Sequence, residues 1–213
     1  MSRIARTGCL VLFAAVAIGA CTKPSTTTES PGRPEATVRT DLVTLRGTPL
    51  TLEGAGVNIG QPAPDVVLVA NDMTEKRLSD FRGQTVILAT VPSIDTAVCD
   101  LETRTFNERA AALPGDVVVL TVSMDLPFAQ TRWCAAHGID RVVTLSDYKH
   151  RDLGEHFGVR IRESGLLART VTVIDPNGIV RYQEIVPELT AEPDYEAALR
   201  SAQSSLDSVP GGA

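Results

Sequence analysis

The chain has 213 residues, 43% of them hydrophobic and 22% charged, close to the globular averages of ~45–50% and ~25%, so its bulk can bury a core. A net charge of −6 with no cluster of Lys and Arg excludes a nucleic-acid binder, whose phosphate contacts need grouped cations. The 16 Gly and 13 Pro are scattered, which excludes a collagen-like or low-complexity polymer, and the length suits one ordinary domain plus extras.

Chemistry in chain order begins with a leader. Arg3 and Arg6 precede the apolar run Cys9–Ala20, whose twelve residues span ~18 Å as helix against a hydrocarbon core of ~30 Å. Residues 1–20 therefore read as a signal peptide. Ile18-Gly19-Ala20-Cys21 resembles a bacterial lipobox, which implies a lipid on Cys21, an anchor in the membrane and a place in the cell envelope outside the cytoplasm. A plain secretory peptide with an incidental cysteine is the alternative. From Thr22 to Thr40, Ser, Thr, Pro and Gly make up 12 of 19 residues, too little apolar surface to offset ordering entropy. Residues 21–40 read as a disordered tether, 41–208 as the folded domain and 209–213 as a flexible tail.

Within the domain, Val43–Glu53 alternates apolar and polar residues around Gly47-Thr48-Pro49 and reads as an entrance hairpin. Asp65–Ala70 and Thr85–Val91 read as strands, the second apolar enough to be buried on both faces. A helix over Ala97–Ala112 stops at Pro114-Gly115, and Val117–Val122 is another buried strand. Leu126–His137 reads as a helix with Asp125 as N-cap and Gly138 as stop. A strand at Arg141–Leu145 and a short helix near His150–Phe157 follow. Thr170–Ile174 and Ile179–Val186 flank the turn Asp175-Pro176-Asn177-Gly178, and Pro193 opens a last helix with Tyr195 and Leu199 on its core stripe. The order implies an α/β sandwich, thioredoxin-like, with a mixed central sheet flanked by helices. Asp147 and Glu155 read as solvated carboxylates; Phe128 and Trp133 read as ordinary packing, a substrate pocket or a dimer contact.

The segment Val91–Asp100 (VPSIDTAVCD) runs from a buried strand into a helix whose first turn carries Cys99. A thiol there faces unpaired N–H groups and the positive end of the helix dipole, which favours the thiolate. Thr96, three residues earlier, can bond that sulfur, and Pro92, with no N–H, can wall the pocket.

Pro92-x-x-x-Thr96-x-x-Cys99 resembles the peroxiredoxin signature, and with Asp125–Gln130 before Cys134 and Gly165–Arg169 the chain is similar to the thiol peroxidase subfamily of atypical two-cysteine peroxiredoxins over about Val43–Leu206. The resemblance implies that Cys99 is the peroxidatic cysteine, Thr96 its hydroxyl partner, Arg169 the arginine facing the thiolate and Cys134 the resolving cysteine that forms a redox disulfide with Cys99. It further implies hydrogen peroxide and organic hydroperoxides as substrates, thioredoxin or another thiol reductant as electron donor, and a homodimer. No cofactor is implied. His137, His150 and His156 and the four cysteines lack the spacing of a metal site. Two rivals stand beside this reading: an envelope disulfide-exchange protein, which needs a second cysteine in Cys-x-x-Cys spacing that Asp100-Leu101-Glu102 does not supply, and a non-catalytic lipoprotein with a structural Cys99–Cys134 disulfide.

Overall fold

A computed structural model describes residues 37–110, 112–114 and 116–207; the leader, most of the tether and the tail lie outside them. The strands β1 (Val38–Leu45) and β2 (Thr48–Glu53) form the entrance hairpin, followed by β3 (Val67–Ala70), β4 (Glu75–Arg77) and a 3₁₀ turn at Leu78–Phe81. Then come β5 (Thr85–Thr90), α1 (Ala97–Ala110), β6 (Val117–Ser123), α2 (Pro127–His137), β7 (Val142–Ser146) and α3 (Asp152–His156). The described residues close with β8 (Arg160–Ile161), β9 (Thr170–Ile174), β10 (Val180–Ile185) and α4 (Tyr195–Asp207).

Seven strands pair in the order β10-β9-β5-β6-β7-β3-β4, and β1-β2-β8 make a small second sheet. The mixed sheet is as expected: β5 runs parallel to β6 and antiparallel to β9. All six residues of β5 are buried because both faces are covered. Ile87 and Ala89 share one core cluster with Phe106 of α1 and Ala198 and Ala202 of α4, whereas Val86 and Leu88 belong to the cluster that holds Leu153, Phe157 and the small sheet's Val43 and Leu52. The alternation of side chains along a strand assigns the two layers. Gly54, at φ +120°, lies where a Cβ would collide with the Glu155 carbonyl, so only glycine lets the hairpin approach α3 this closely.

Several expectations need correction. The first strand starts at Val38, not beyond Thr40, because Val38 and Arg39 pair with Glu53 and Leu52; the end of the Ser/Thr-rich stretch is drawn into the sheet. Strand β4, the 3₁₀ turn and β8 have no expected counterpart, being two to four residues long and too short for a periodicity. Helix α4 begins at Tyr195, two residues after Pro193. Asp147 is not solvated: it is buried, and its carboxylate accepts N–H bonds from Leu153 (3.1 Å) and Gly154 (2.9 Å). Burial pushes its pKa up to about 6, with those bonds opposing. Glu155 is half-buried. Trp133 is packed inside while Phe128 is 57% exposed.

Candidate active site

Strand β5 delivers the chain through Val91 and Pro92 to a tight loop before α1. Asp125 fixes that loop: its carboxylate accepts from Ser93 Oγ (2.8 Å), Ile94 N (2.8 Å) and Ser123 Oγ (2.7 Å). It is therefore not the N-cap of α2, whose cap position is Leu126 with no side-chain bond. Pro127 tolerates this, since the first helical N–H groups need no partner within the helix.

Helix α1 places Cys99 in its first turn, fully buried. Thr96 Oγ1 lies 2.9 Å from Cys99 Sγ and 3.1 Å from the Ser93 carbonyl, so its one proton can serve either acceptor. Arg169, at the entrance to β9, brings Nη2 to 3.2 Å from the same sulfur. Thr96, Arg169 and Pro92 line a groove of about 510 Å³ whose other walls are mainly apolar, including Leu45, Leu50, Ile161, Leu166 and Leu189. Glu188 holds one wall in place by accepting from Arg46 N, Gly47 N, Thr44 and Thr190, and those bonds pull its pKa down to about 2.

The arginine is anchored on its far side. Its Nη1 pairs with the Glu102 carboxylate, and Nε and Nη2 donate to the Leu189 carbonyl at 3.2 and 3.0 Å. Burial opposes the guanidinium's charge, but Glu102 and the Cys99 sulfur outweigh it and hold Arg169 above the ordinary arginine range. Glu102 escaped the sequence reading. The available signal is its spacing: Cys99, Glu102 and Phe106 fall three and four residues apart on one buried helix face, where a carboxylate needs a cation.

Cys134 lies on α2, half-buried, with Sγ 3.4 Å from Thr144 Oγ1. Both sulfurs are free, and Cys134 packs beside the cluster of Val91, Ile94, Cys99 and Trp133. The Trp133 ring stacks on His137 at 4.8 Å, and His137 Nε2 faces Asp100 of α1 at 3.5 Å, bridging the two cysteine helices. Among the described residues, no three Cys, His, Asp or Glu side chains group as a metal site. The structure thus brings Pro92, Thr96, Cys99 and Arg169 into one site and sets Cys134 next to it; Cys21 lies outside the described residues.

Residues 58–199 match the Redoxin family. A thiol peroxidase of Bacillus subtilis (strain 168) is 52% identical over 162 residues, 76% of this chain and 96% of that one. The chain belongs to the thiol peroxidase family of peroxiredoxins. Another relative, the thiol peroxidase of Oceanobacillus iheyensis, is 51% identical over 157 residues, 74% of this chain and 95% of its own. Among solved structures, a peroxiredoxin-like protein from Aquifex aeolicus superposes with a TM-score of 0.73 at 40% identity, over 80% of this chain and 99% of that one. Membership in the thiol peroxidase family accounts for the fold: a thioredoxin-like redoxin sandwich with an N-terminal hairpin.

Proposed function

We propose that the thiol peroxidase activity of this family runs in this chain through Cys99 as nucleophile, with hydrogen peroxide and organic hydroperoxides as substrates. The carrying observation is the convergence of Thr96 Oγ1 and Arg169 Nη2, from two residues that line the groove, on the buried Cys99 Sγ. The Cys99 thiolate attacks the terminal peroxide oxygen, the O–O bond breaks, and the alkoxide or hydroxide leaves and takes a proton, giving an alcohol or water and Cys99 sulfenic acid. Arg169 has one N–H on Nη1 not committed to Glu102, Leu189 or Cys99, a spare donor for the charge that develops on the peroxide. The Cys134 thiol then attacks the sulfenic sulfur, forming the intramolecular disulfide and releasing water, and an external dithiol reduces that disulfide. The apolar groove walls suit organic hydroperoxides. Peroxide consumption by the purified protein with a small thiol reductant tests the activity, and no consumption above the reductant alone would overturn it.

We infer that the disulfide forms with local movement. Bonding needs Cα atoms within roughly 4.4–6.8 Å, and here one sulfur sits in the first turn of α1 and the other near the end of α2, both free. Closing the bond unwinds one or both ends and separates the His137–Asp100 contact. Hydrogen exchange is expected to be about tenfold faster or more on oxidation across Ala97–Arg104 or Thr131–His137, with β5 unchanged. Equal protection in both redox states would mean that no unwinding accompanies the cycle.

The lipid anchor on Cys21 is part of the same proposal, and it is supported by Ile18-Gly19-Ala20-Cys21 and by the quarter of this chain that has no counterpart in the Bacillus subtilis relative. The reductant is then a thiol donor outside the cytoplasm. Cys21→Ser is expected to release soluble protein or leave uncleaved precursor without changing peroxidase activity; wild-type protein with a free, unlipidated Cys21 would refute the anchor. A homodimer is also proposed, for which Leu126 and Phe128 offer exposed apolar surface at the start of α2; a single monomeric species in sedimentation would refute it.

A further inference from the structure

We propose that Glu102 is a positioning residue that divides the charge of Arg169 between two anions, its own carboxylate and the Cys99 thiolate, and so limits how tightly the site holds that thiolate. This rests on the reading of Cys99 as nucleophile. The geometry is a buried line: Glu102 on one edge of the guanidinium, Cys99 Sγ on the other, with the Leu189 carbonyl fixing the plane. Glu102 has no exposure, and its second oxygen, Oε1, has no hydrogen-bond partner. A carboxylate with half its lone pairs unmet in a dry site depends on that one cation.

The surroundings sharpen the dependence. Glu184 of β10 and Glu192 in the loop before α4 add negative charge toward Glu102, and Tyr195 of α4, bonded to Glu192, lies within its field. Arg169 is the cation that opposes them. Burial nonetheless pushes the Glu102 pKa up to about 7, so the carboxylate gains and loses its proton near neutrality. Two acids that share one cation titrate against each other: ionising either one weakens the cation's hold on the other.

The consequence is a pH-dependent nucleophile. Below about pH 6 Glu102 is neutral and Arg169 serves the sulfur alone. Above about pH 8 Glu102 is charged, the thiolate is less stabilised and therefore more basic, and a thiolate's nucleophilicity rises by roughly threefold per unit of its basicity. Glu102→Gln keeps the shape and removes the charge. Expressed per thiolate, with the thiolate counted by its ultraviolet absorbance, the wild-type to E102Q ratio of the second-order rate constant for Cys99 oxidation by hydrogen peroxide is expected to climb from about 1 at pH 5.5 to about 3 at pH 8 for a one-unit difference in thiolate basicity. A purely structural role for Glu102 would lower the variant's rate by the same factor at every pH, and a flat ratio would overturn the proposal.

Should E102Q fail to fold, the carboxyl titration of Glu102 followed by carbon NMR in reduced wild type and in Cys99→Ala decides the matter. Removing the thiolate leaves Arg169 to Glu102 alone, so the carboxyl is expected to titrate at lower pH in Cys99→Ala. The same midpoint in both proteins would sink the idea. Failure of the nucleophile assignment looks different, as wild-type protein in which peroxide leaves Cys99 unoxidised.

Discussion

Cys99→Ser is expected to abolish peroxide turnover, by about a thousandfold or more, while the protein stays folded. The hydroxyl occupies nearly the same volume in the cluster of Val91, Ile94 and Trp133, but an alcohol does not ionise near neutrality as a thiol can, so Thr96 and Arg169 have no anion to hold. Cys134→Ser separates the two halves of the cycle. It is expected to consume one equivalent of peroxide and stop with Cys99 one oxygen heavier by mass spectrometry, because the sulfenic acid has no thiol partner. Near-normal turnover in Cys99→Ser would move the chemistry to another residue. Sustained turnover in Cys134→Ser with a bulky reductant would instead remove Cys134 from the cycle and leave resolution to the external thiol.

The parts of this molecule legible in its sequence are those in which one physical requirement dominates. Strand β5 could be read because a strand covered on both faces must be apolar throughout; the turn from Asp175 to Gly178, between β9 and β10, could be read because Gly178 adopts φ +77° and Ile179 N bonds back to Asp175. Cys99 stands out as the candidate nucleophile from its place at a strand-to-helix junction and from its likeness to a known signature. What escaped was set by partners distant in sequence. Asp125 has the composition of an N-cap two residues before Pro127, yet two donors from the loop at Ser93–Ile94 and the Ser123 hydroxyl win it. Asp147 looks like a surface carboxylate until α3 turns two N–H groups onto it.

Glu102 belongs with these. In sequence it is one of several charged residues along α1, and its burial depends on Arg169 arriving from 67 positions away. Its neighbours on the helix show the contrast: Arg104 reaches Asp100 at 3.7 Å near the surface, an i,i+4 pair worth only a few tenths of a kcal/mol. Periodicity locates the buried face of a helix but does not reveal that a cation waits against it.

Arg169→Met tests that buried pair and the peroxide chemistry together. Methionine fills most of the volume but donates nothing, so the contact to Cys99 Sγ, the spare Nη1 proton and both bonds to the Leu189 carbonyl are lost. Removing one preorganised donor from a site of this kind costs about 10²–10³ in rate, and the rate of Cys99 oxidation is expected to fall by at least that much. Stability should fall as well, because removing one partner of a buried pair typically costs about 3–5 kcal/mol. The pH dependence identifies the cause. Without the guanidinium, the Glu102 pKa rises further above its unfolded value, and a carboxyl whose folded pKa is raised stabilises the native state at low pH and loses that contribution as pH rises through the folded pKa. The melting temperature of Arg169→Met, relative to wild type, should therefore be nearer normal at pH 5.5 than at pH 8. Adding Glu102→Leu removes the stranded carboxyl, so the double variant is expected to recover stability at pH 8 while remaining as inactive as Arg169→Met. A single variant that keeps its rate within threefold would take Arg169 out of the peroxide chemistry; a double variant no more stable than the single one would show that the Glu102 carboxyl is not the source of the loss.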